Sequence, residues 1–320
     1  AYASAWLKCH HPAAFTCALL NSLPMGFYGP AQLIRDARRH GVRVLPIDVT
    51  ISAWECTLEA IPSANKEKGI TRAGRPAASA ATEYGCHALR LGFSRIAGFA
   101  EASARCIVAA RSERAFDDVA DLIRRAGLSA GERARLADAD ALRSLSGHRH
   151  QARWDSAGVD APIAVLAGAA LNEEAITLAA PSLRKDVISD YASQGFSLRR
   201  HPLSFAREAL DQRRMLRARD VLGSRHGRRV RCAGLVTVRQ RPHTANGVTF
   251  VTLEDETGIL NIIVWAALAS SQRRILIESS VLGVEGELQS SEGVQHVIAH
   301  RLLNLDALLA GIGPQSRDFH

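Results

Sequence analysis

Between Arg199 and Arg241 the chain carries thirteen arginines: Arg199, Arg200, Arg207, Arg213, Arg214, Arg217, Arg219, Arg225, Arg228, Arg229, Arg231, Arg239 and Arg241. Only Glu208, Asp211 and Asp220 oppose them in that stretch. Guanidinium groups at this density suit phosphate oxygens, which they can hold in a bidentate fork. A solvated helix followed by a linker is the plainer alternative, but thirteen against three is too lopsided for an ordinary mixed surface. An electrostatic footprint for a polyanion is therefore preferred. Acid-dependent chemistry finds less support. Two-metal phosphoryl transfer needs carboxylates that hold ions roughly 3.5–4 Å apart. The close Asp-x-Asp pair is Asp138 and Asp140, and side chains two apart on a helix diverge. The adjacent groups Cys9-His10-His11 and Cys86-His87 diverge for the same reason, and Cys9, Cys17, Cys56, Cys86, Cys106 and Cys232 include no Cys-x-x-Cys. Reduced thiols and no metal site are expected.

The elements that position the arginines are clearest after them. Arg231 to Gln240, Val248 to Leu253 and Ile259 to Trp265 read as strands. Asn246-Gly247 marks the first turn, and Gly258 can supply positive φ in the second. A short helix and two further strands, Val281 to Leu288 and Val294 to His300, complete five strands with a helix between the third and fourth. That is the order of an OB barrel, whose sheet face commonly binds single-stranded nucleic acid. Arg239 and Arg241, leading into the first long loop, are candidates for phosphates. Phe250, Asn261 and Trp265 are candidates for the sheet face, with core packing as the alternative for the two aromatics.

Upstream, Tyr2 to Leu20 has helical spacing with Trp6, Cys9, Ala13, Cys17 and Leu20 near one face. Gly29-Pro30 opens a second helix that Gly41 closes after the basic turn Arg38-Arg39-His40, and Val42 to Val49 reads as a strand. Periodicity is lost over 61–84, which predicts a flexible loop or boundary. His87 to Phe93 is strand-like, and Ile96 to Ala100, centred on Gly98-Phe99, leads into a helix from Glu101 to Arg111. About thirty residues on, Val119 to Arg125, then Ala126-Gly127-Leu128, then Glu132 to Ala141 repeat the pattern, with Ser129 and Glu132 as a capping box. Both resemble helix-hairpin-helix motifs, in which hairpin amides at a helix N-terminus hold a DNA phosphate without reading sequence. Gly98, Phe99, Gly127 and Leu128 are the hairpin residues, and Ala100 stands where a second hairpin glycine is usual. Ala157 to Ala180 is a small-residue connector, Ser189 to Pro202 a loop-to-helix transition, and Leu203 to Leu222 an arginine-crowded helix.

The 320 residues carry a formal charge of +8, with Lys scarce and Arg abundant. That suits polyanions, nucleic acid or an anionic membrane surface alike, and a GC-biased genome writing Arg for Lys gives the same balance. The longest apolar runs fall short of a bilayer span and no signal segment opens the chain, so a cytoplasmic location is expected. The start at Ala1, inside a helical pattern, predicts a fragment of a longer protein.

The stretch AYASAWLKCHHPAAFTCALLNSLPMGFYGPAQLIRDARRHGVRVLPIDV resembles the distal fingers of bacterial C-family DNA polymerases, the polymerase III alpha subunits, most of all their damage-inducible error-prone branch. ALRLGFSRIAGF and the paired hairpins resemble the family's tandem helix-hairpin-helix domain. SDYASQGFSLRRHP is similar to its linker, and SRDFH to the error-prone tail. The resemblance implies a multidomain α+β protein: distal fingers at 1–60, a boundary at 61–84, tandem helix-hairpin-helix at 85–155, connector and Arg-rich linker at 156–227, an OB-fold β-barrel at 228–309 and a tail at 310–320. It implies an error-prone, translesion DNA polymerase whose carboxylates and Mg2+ belong to a palm domain absent here, so the fragment is expected to be inactive alone and to need no cofactor. Lys8, Arg35, Arg38 and Arg39 would neutralise the incoming nucleotide or the template backbone. The implied partners are primer-template duplex and single-stranded template, with the sliding clamp or accessory mutagenesis proteins beside them, although no Gln-x-x-aliphatic-x-aromatic clamp peptide is legible. A stand-alone DNA- or RNA-binding module or adaptor is the alternative.

Overall fold

A computed structural model describes residues 2–25, 29–61, 87–159, 176–242, 247–291, 293–309 and 317–319. Most of the breaker-rich stretch and the centre of the small-residue connector, and Asn246 of the turn signal, lie outside the described residues. The chain divides into two compact units, 1–182 with 192–198, and 183–191 with 199–320.

The first unit begins with α1 (Tyr2–His10), α2 (Pro12–Asn21) and α3 (Pro30–Arg39). The single helix expected from Tyr2 to Leu20 is thus two. Pro12 has no amide to donate, and the residue before it is pushed out of the helical region, with His11 at φ −132° and ψ 56°. Ala13, Cys17 and Leu20 are buried, whereas Trp6 and Cys9 are exposed. The strand expected over Val42 to Val49 is reduced to β1 (Val44–Leu45), which pairs in parallel with β3 (His87–Arg90). On its other side β3 pairs antiparallel with β2 (Thr57–Ala60). Next come α4 (Glu101–Glu113), α5 (Val119–Ala126), α6 (Ala130–Asp138), α7 (Arg143–Ser146) and α8 (Arg149–Ala157). One hydrophobic core joins them, with Leu20, Leu89, Phe93, Ile107, Leu122, Leu136 and Leu142 fully buried. Each such side chain contributes roughly 1.5–3 kcal/mol when removed from water.

Helix α9 (Leu183–Gln194) gives its first nine residues, Leu183–Tyr191, to the second unit. Its end, 189–194, occupies the start of the segment expected to run from loop to helix, so the helix there comes first. The expected helix from Leu203 to Leu222 is broken into a 3-10 turn at Pro202–Phe205, α10 (Arg207–Gln212) and α11 (Ala218–Leu222). Arg214 adopts φ 56°, which no helix interior accommodates. The barrel strands follow as β4 (Arg229–Gln240), β5 (Thr249–Glu254) and β6 (Ile259–Val264), then α12 (Ala266–Ser271) and α13 (Arg273–Glu278), then β7 (Val281–Ser291) and β8 (Val294–Asn304). β9 (Arg317–Phe319) adds a short parallel strand to Val238–Gln240 of β4.

Closure of the barrel depends on β4 serving two neighbours. Its first part pairs with β7 and its last part with β5, the two regimes meeting at Leu235 and a bulge between Val236 and Val238. Gly234 sits at that bend because a Cβ there would lie 2.7 Å from the Leu253 Cβ. The parallel pairing of β6 with β8 closes the ring. Alternate residues point inward, and Val230, Cys232, Val251, Leu253, Leu260, Ile262, Val284 and Val297 fill the interior. Burial pushes the Cys232 thiol up to about 12, so it packs as a small apolar group. The turn between β5 and β6 does not use positive φ at Gly258. Asp255 builds it, one carboxylate oxygen accepting from the amides of Thr257 and Gly258 at 2.7 and 2.9 Å.

Candidate nucleic-acid interface

In the first unit two glycine hairpins each precede a helix. Gly98 and Gly127 have φ of 69° and 63°, a region that side-chain-bearing residues rarely adopt. Both are exposed, and each is followed by a buried apolar residue, Phe99 or Leu128. These two side chains are anchors that hold the loops on the core. Phe99 lies against Phe93 with ring centroids 5.8 Å apart, and the Leu128 amide donates to the Ile123 carbonyl at 3.1 Å. Any ligand contact they make is therefore through the backbone.

The helix ends beyond the hairpins differ in occupancy. At α4 the N-cap is Ala100, which offers no side-chain acceptor. The leading amides there carry the partial positive charge of a helix N-terminus. At α6 the expected capping box is present: the Ser129 amide donates to Glu132 Oε2 at 2.7 Å and the Glu132 amide to the Ser129 hydroxyl at 3.4 Å. The other Glu132 oxygen accepts from the Ser103 hydroxyl in α4. Hydrogen bonds from Ser103 and then Ser129 hold the Glu132 carboxyl below the usual range. This carboxylate ties the two hairpins together and fills part of the second helix end.

In the second unit the outer surface of β4, β5 and β6 gathers several of the predicted residues. Antiparallel register places Phe250 opposite Gln240 and Ile263, and Thr252 opposite Asn261. Phe250 is 40% and Trp265 54% exposed, so neither is core. Asn261 is exposed one step along the row from Ile263, and Trp265 continues that row in the other direction, just beyond the end of β6. Gln240, Thr252 and Ile263 belong to the same face and escaped the sequence reading, although the strand register identifies them. Arg241 lies at the end of this face, exposed and with no side-chain partner among the described residues. Its neighbour two positions back must be withdrawn as a phosphate ligand. Arg239 pairs across from inward-facing Val251 and is 7% exposed. Its Nε donates to the Leu276 carbonyl at 2.7 Å, and its guanidinium also reaches the Ser279 carbonyl. Arg239 thus closes the C-terminal end of α13, where a cation opposes the helix dipole.

The arginine count also shrinks on folding. Arg199 pairs with Asp190 at 2.6 Å, Arg207 with Glu256 at 2.7 Å, Arg217 with Glu256 and Asp211 at 3.4 and 3.6 Å, and Arg231 with Glu285 at 2.8 Å. Most of those carboxylates lie outside the counted stretch. Arg200, Arg214, Arg225, Arg229 and Arg241 are exposed and make no side-chain hydrogen bond or ion pair among the described residues. The footprint is narrower than composition suggested.

The fingers cations are dispersed in role. Lys8 is paired with Asp36 at 2.8 Å, and Arg38 donates to the Leu198 carbonyl at 3.0 Å. Arg35 is half-buried with its contacts made, whereas Arg39 is exposed without a side-chain partner among the described residues. Asp138 pairs with Arg153 and Asp140 with Arg143, so neither faces a shared ion site. Among the described residues no group of three His, Cys, Asp or Glu could hold a metal, and no helix is long and apolar enough to cross a membrane.

Two family models match the chain, a helix-hairpin-helix motif over residues 41–152 and an OB-fold nucleic acid binding domain over residues 230–305. Together they mark a nucleic-acid-binding chain. Error-prone DNA polymerase of Methylococcus capsulatus is 51% identical over 319 residues, covering 100% of this chain and 30% of that protein. Error-prone DNA polymerases of Pseudomonas paraeruginosa and Azoarcus sp. are 50% and 49% identical over 320 residues, covering 100% of this chain and 29% of each. The chain therefore spans about 30% of the length of the curated relatives it matches. Asparaginyl-tRNA synthetase from Pyrococcus horikoshii is similar over 28% of this chain and 21% of that one, at 21% identity and a TM-score of 0.23, too low to carry an argument.

Proposed function

From a chain that matches the C-terminal part of the error-prone DNA polymerases along its whole length, we propose that it is the DNA-holding portion of such an enzyme. The hairpins at Gly98 and Gly127 bind backbone phosphates of primer-template duplex, and the β4–β5–β6 face binds the single-stranded template. The parent enzyme performs translesion synthesis in the bacterial cytoplasm, with its carboxylates and Mg2+ in a palm outside this sequence and with the sliding clamp or accessory mutagenesis proteins as partners. Arg39, and with it Lys8, Arg35 and Arg38 of the fingers segment, lies near the incoming nucleotide or template backbone in that assembly.

The observation that carries this reading is the coexistence, in one chain, of two exposed positive-φ hairpins at helix starts and a barrel face bearing Phe250, Asn261, Trp265 and Arg241. The first arrangement suits a regular backbone and reads no bases. The second offers stacking surfaces to unpaired bases. Crossed variants test the division. Gly127→Val should weaken blunt-duplex binding and spare single strands, whereas Phe250→Ala with Arg241→Ala should do the reverse. Equal losses on both ligands from each variant would overturn it.

A further inference from the structure

The two hairpins share a cation. Arg135, on the second turn of α6, leans back toward the helix start as helical side chains do. If Gly131 carried a Cβ, that atom would lie 3.3 Å from Arg135 Nη1. A Cβ on Gly98, in the other hairpin, would lie 3.3 Å from Arg135 Nε and 3.8 Å from Nη2. The guanidinium therefore sits with one edge on each glycine. Gly131 is the second residue of α6, and no turn geometry demands a glycine there, its φ not being positive. Its missing side chain leaves the seat that Arg135 occupies.

The same guanidinium is exposed and makes no hydrogen bond or ion pair among the described residues. Glu132 attracts this guanidinium electrostatically, but both of its oxygens already accept hydrogen bonds, one from Ser103 and the other from Ser129. We infer that Arg135 is a phosphate-binding residue shared by both hairpins, holding one phosphodiester of a duplex on the outer side of its guanidinium, beside Gly98 and Gly131. This rests on the duplex-binding reading above. A planar fork seated on two backbones presents its remaining donors in a fixed direction, which a lysine ammonium would not.

The test uses the full chain, a blunt duplex of mixed sequence and a series of salt concentrations. Arg135→Gln should weaken binding about tenfold and lower the salt slope by about one. Arg135→Lys should restore the slope without the full affinity. Arg143→Gln removes the same charge from an arginine paired with Asp140 and should leave affinity near wild type. Gly131→Ala would bring a Cβ within 3.3 Å of Arg135 Nη1, so the guanidinium must shift by a few tenths of an ångström and duplex binding should weaken, but less than in Arg135→Gln. If the wild type binds duplex and Gly127→Val weakens it, while Arg135→Gln and Gly131→Ala match wild type, the shared-cation assignment is wrong and the hairpin reading stands. If wild type fails to bind duplex, or Gly127→Val folds and binds as wild type, the hairpin reading fails and takes this assignment with it.

Discussion

Arg239 and Arg241 are two positions apart and do different work, which a single substitution each will separate. Arg239→Ala removes a buried guanidinium from the carbonyls of Leu276 and Ser279. It should lower stability by about 2–4 kcal/mol in a denaturant titration, because those acceptors are left buried and unpaired. Arg241→Ala should leave the unfolding midpoint in place and lower the salt slope for single-stranded DNA by about one. Glu132 gives a pH-dependent signature. Its folded carboxyl is held below the ordinary value of 4.5, so it favours the folded state fully above that value, and the benefit is lost as pH falls through the lower folded value. The Tm difference between wild type and Glu132→Gln should therefore be constant above about pH 5 and shrink toward zero on further acidification. A difference that persisted unchanged at the acid end would assign Glu132 no such role.

The barrel was largely legible because alternation and turn residues coincide. The five strands β4 to β8 fall where the Val- and Ile-rich runs lie. So did the second hairpin, whose Gly127, Ser129 and Glu132 are a local signature. What was not legible depends on partners distant in sequence. β2 is four residues long and exists because it meets β3 across a long insertion. The Arg-rich stretch looked unopposed because its carboxylates come from α9, the β5–β6 turn and β7. Arg239 was not readable either: alternation from inward-facing Val236 puts it outward, and only the bulge in β4 shifts the register and turns it in opposite Val251. As a half-exposed strand residue, Phe250→Ala should lose about 1–3 kcal/mol of single-strand binding with little change in Tm. A large drop in Tm with unchanged binding would return Phe250 to the core.

For the whole molecule, a formal charge of +8 supplies long-range attraction for any polyanion, and the two units add selectivity. Each compact unit carries one kind of surface, hairpins in the first and an OB face in the second. Aromatic side chains are only 5% of the chain, so stacking is sparse and charge should lead affinity. Binding is accordingly expected to be strongly salt-dependent and indifferent to base sequence. The most direct test is a gel-shift titration of the full chain against primer-template DNA, single-stranded DNA and tRNA at two salt concentrations. The DNA-holding account predicts that primer-template binds most tightly, single-stranded DNA next, and both weaken steeply with salt. Tight binding of tRNA without binding of either DNA would contradict it.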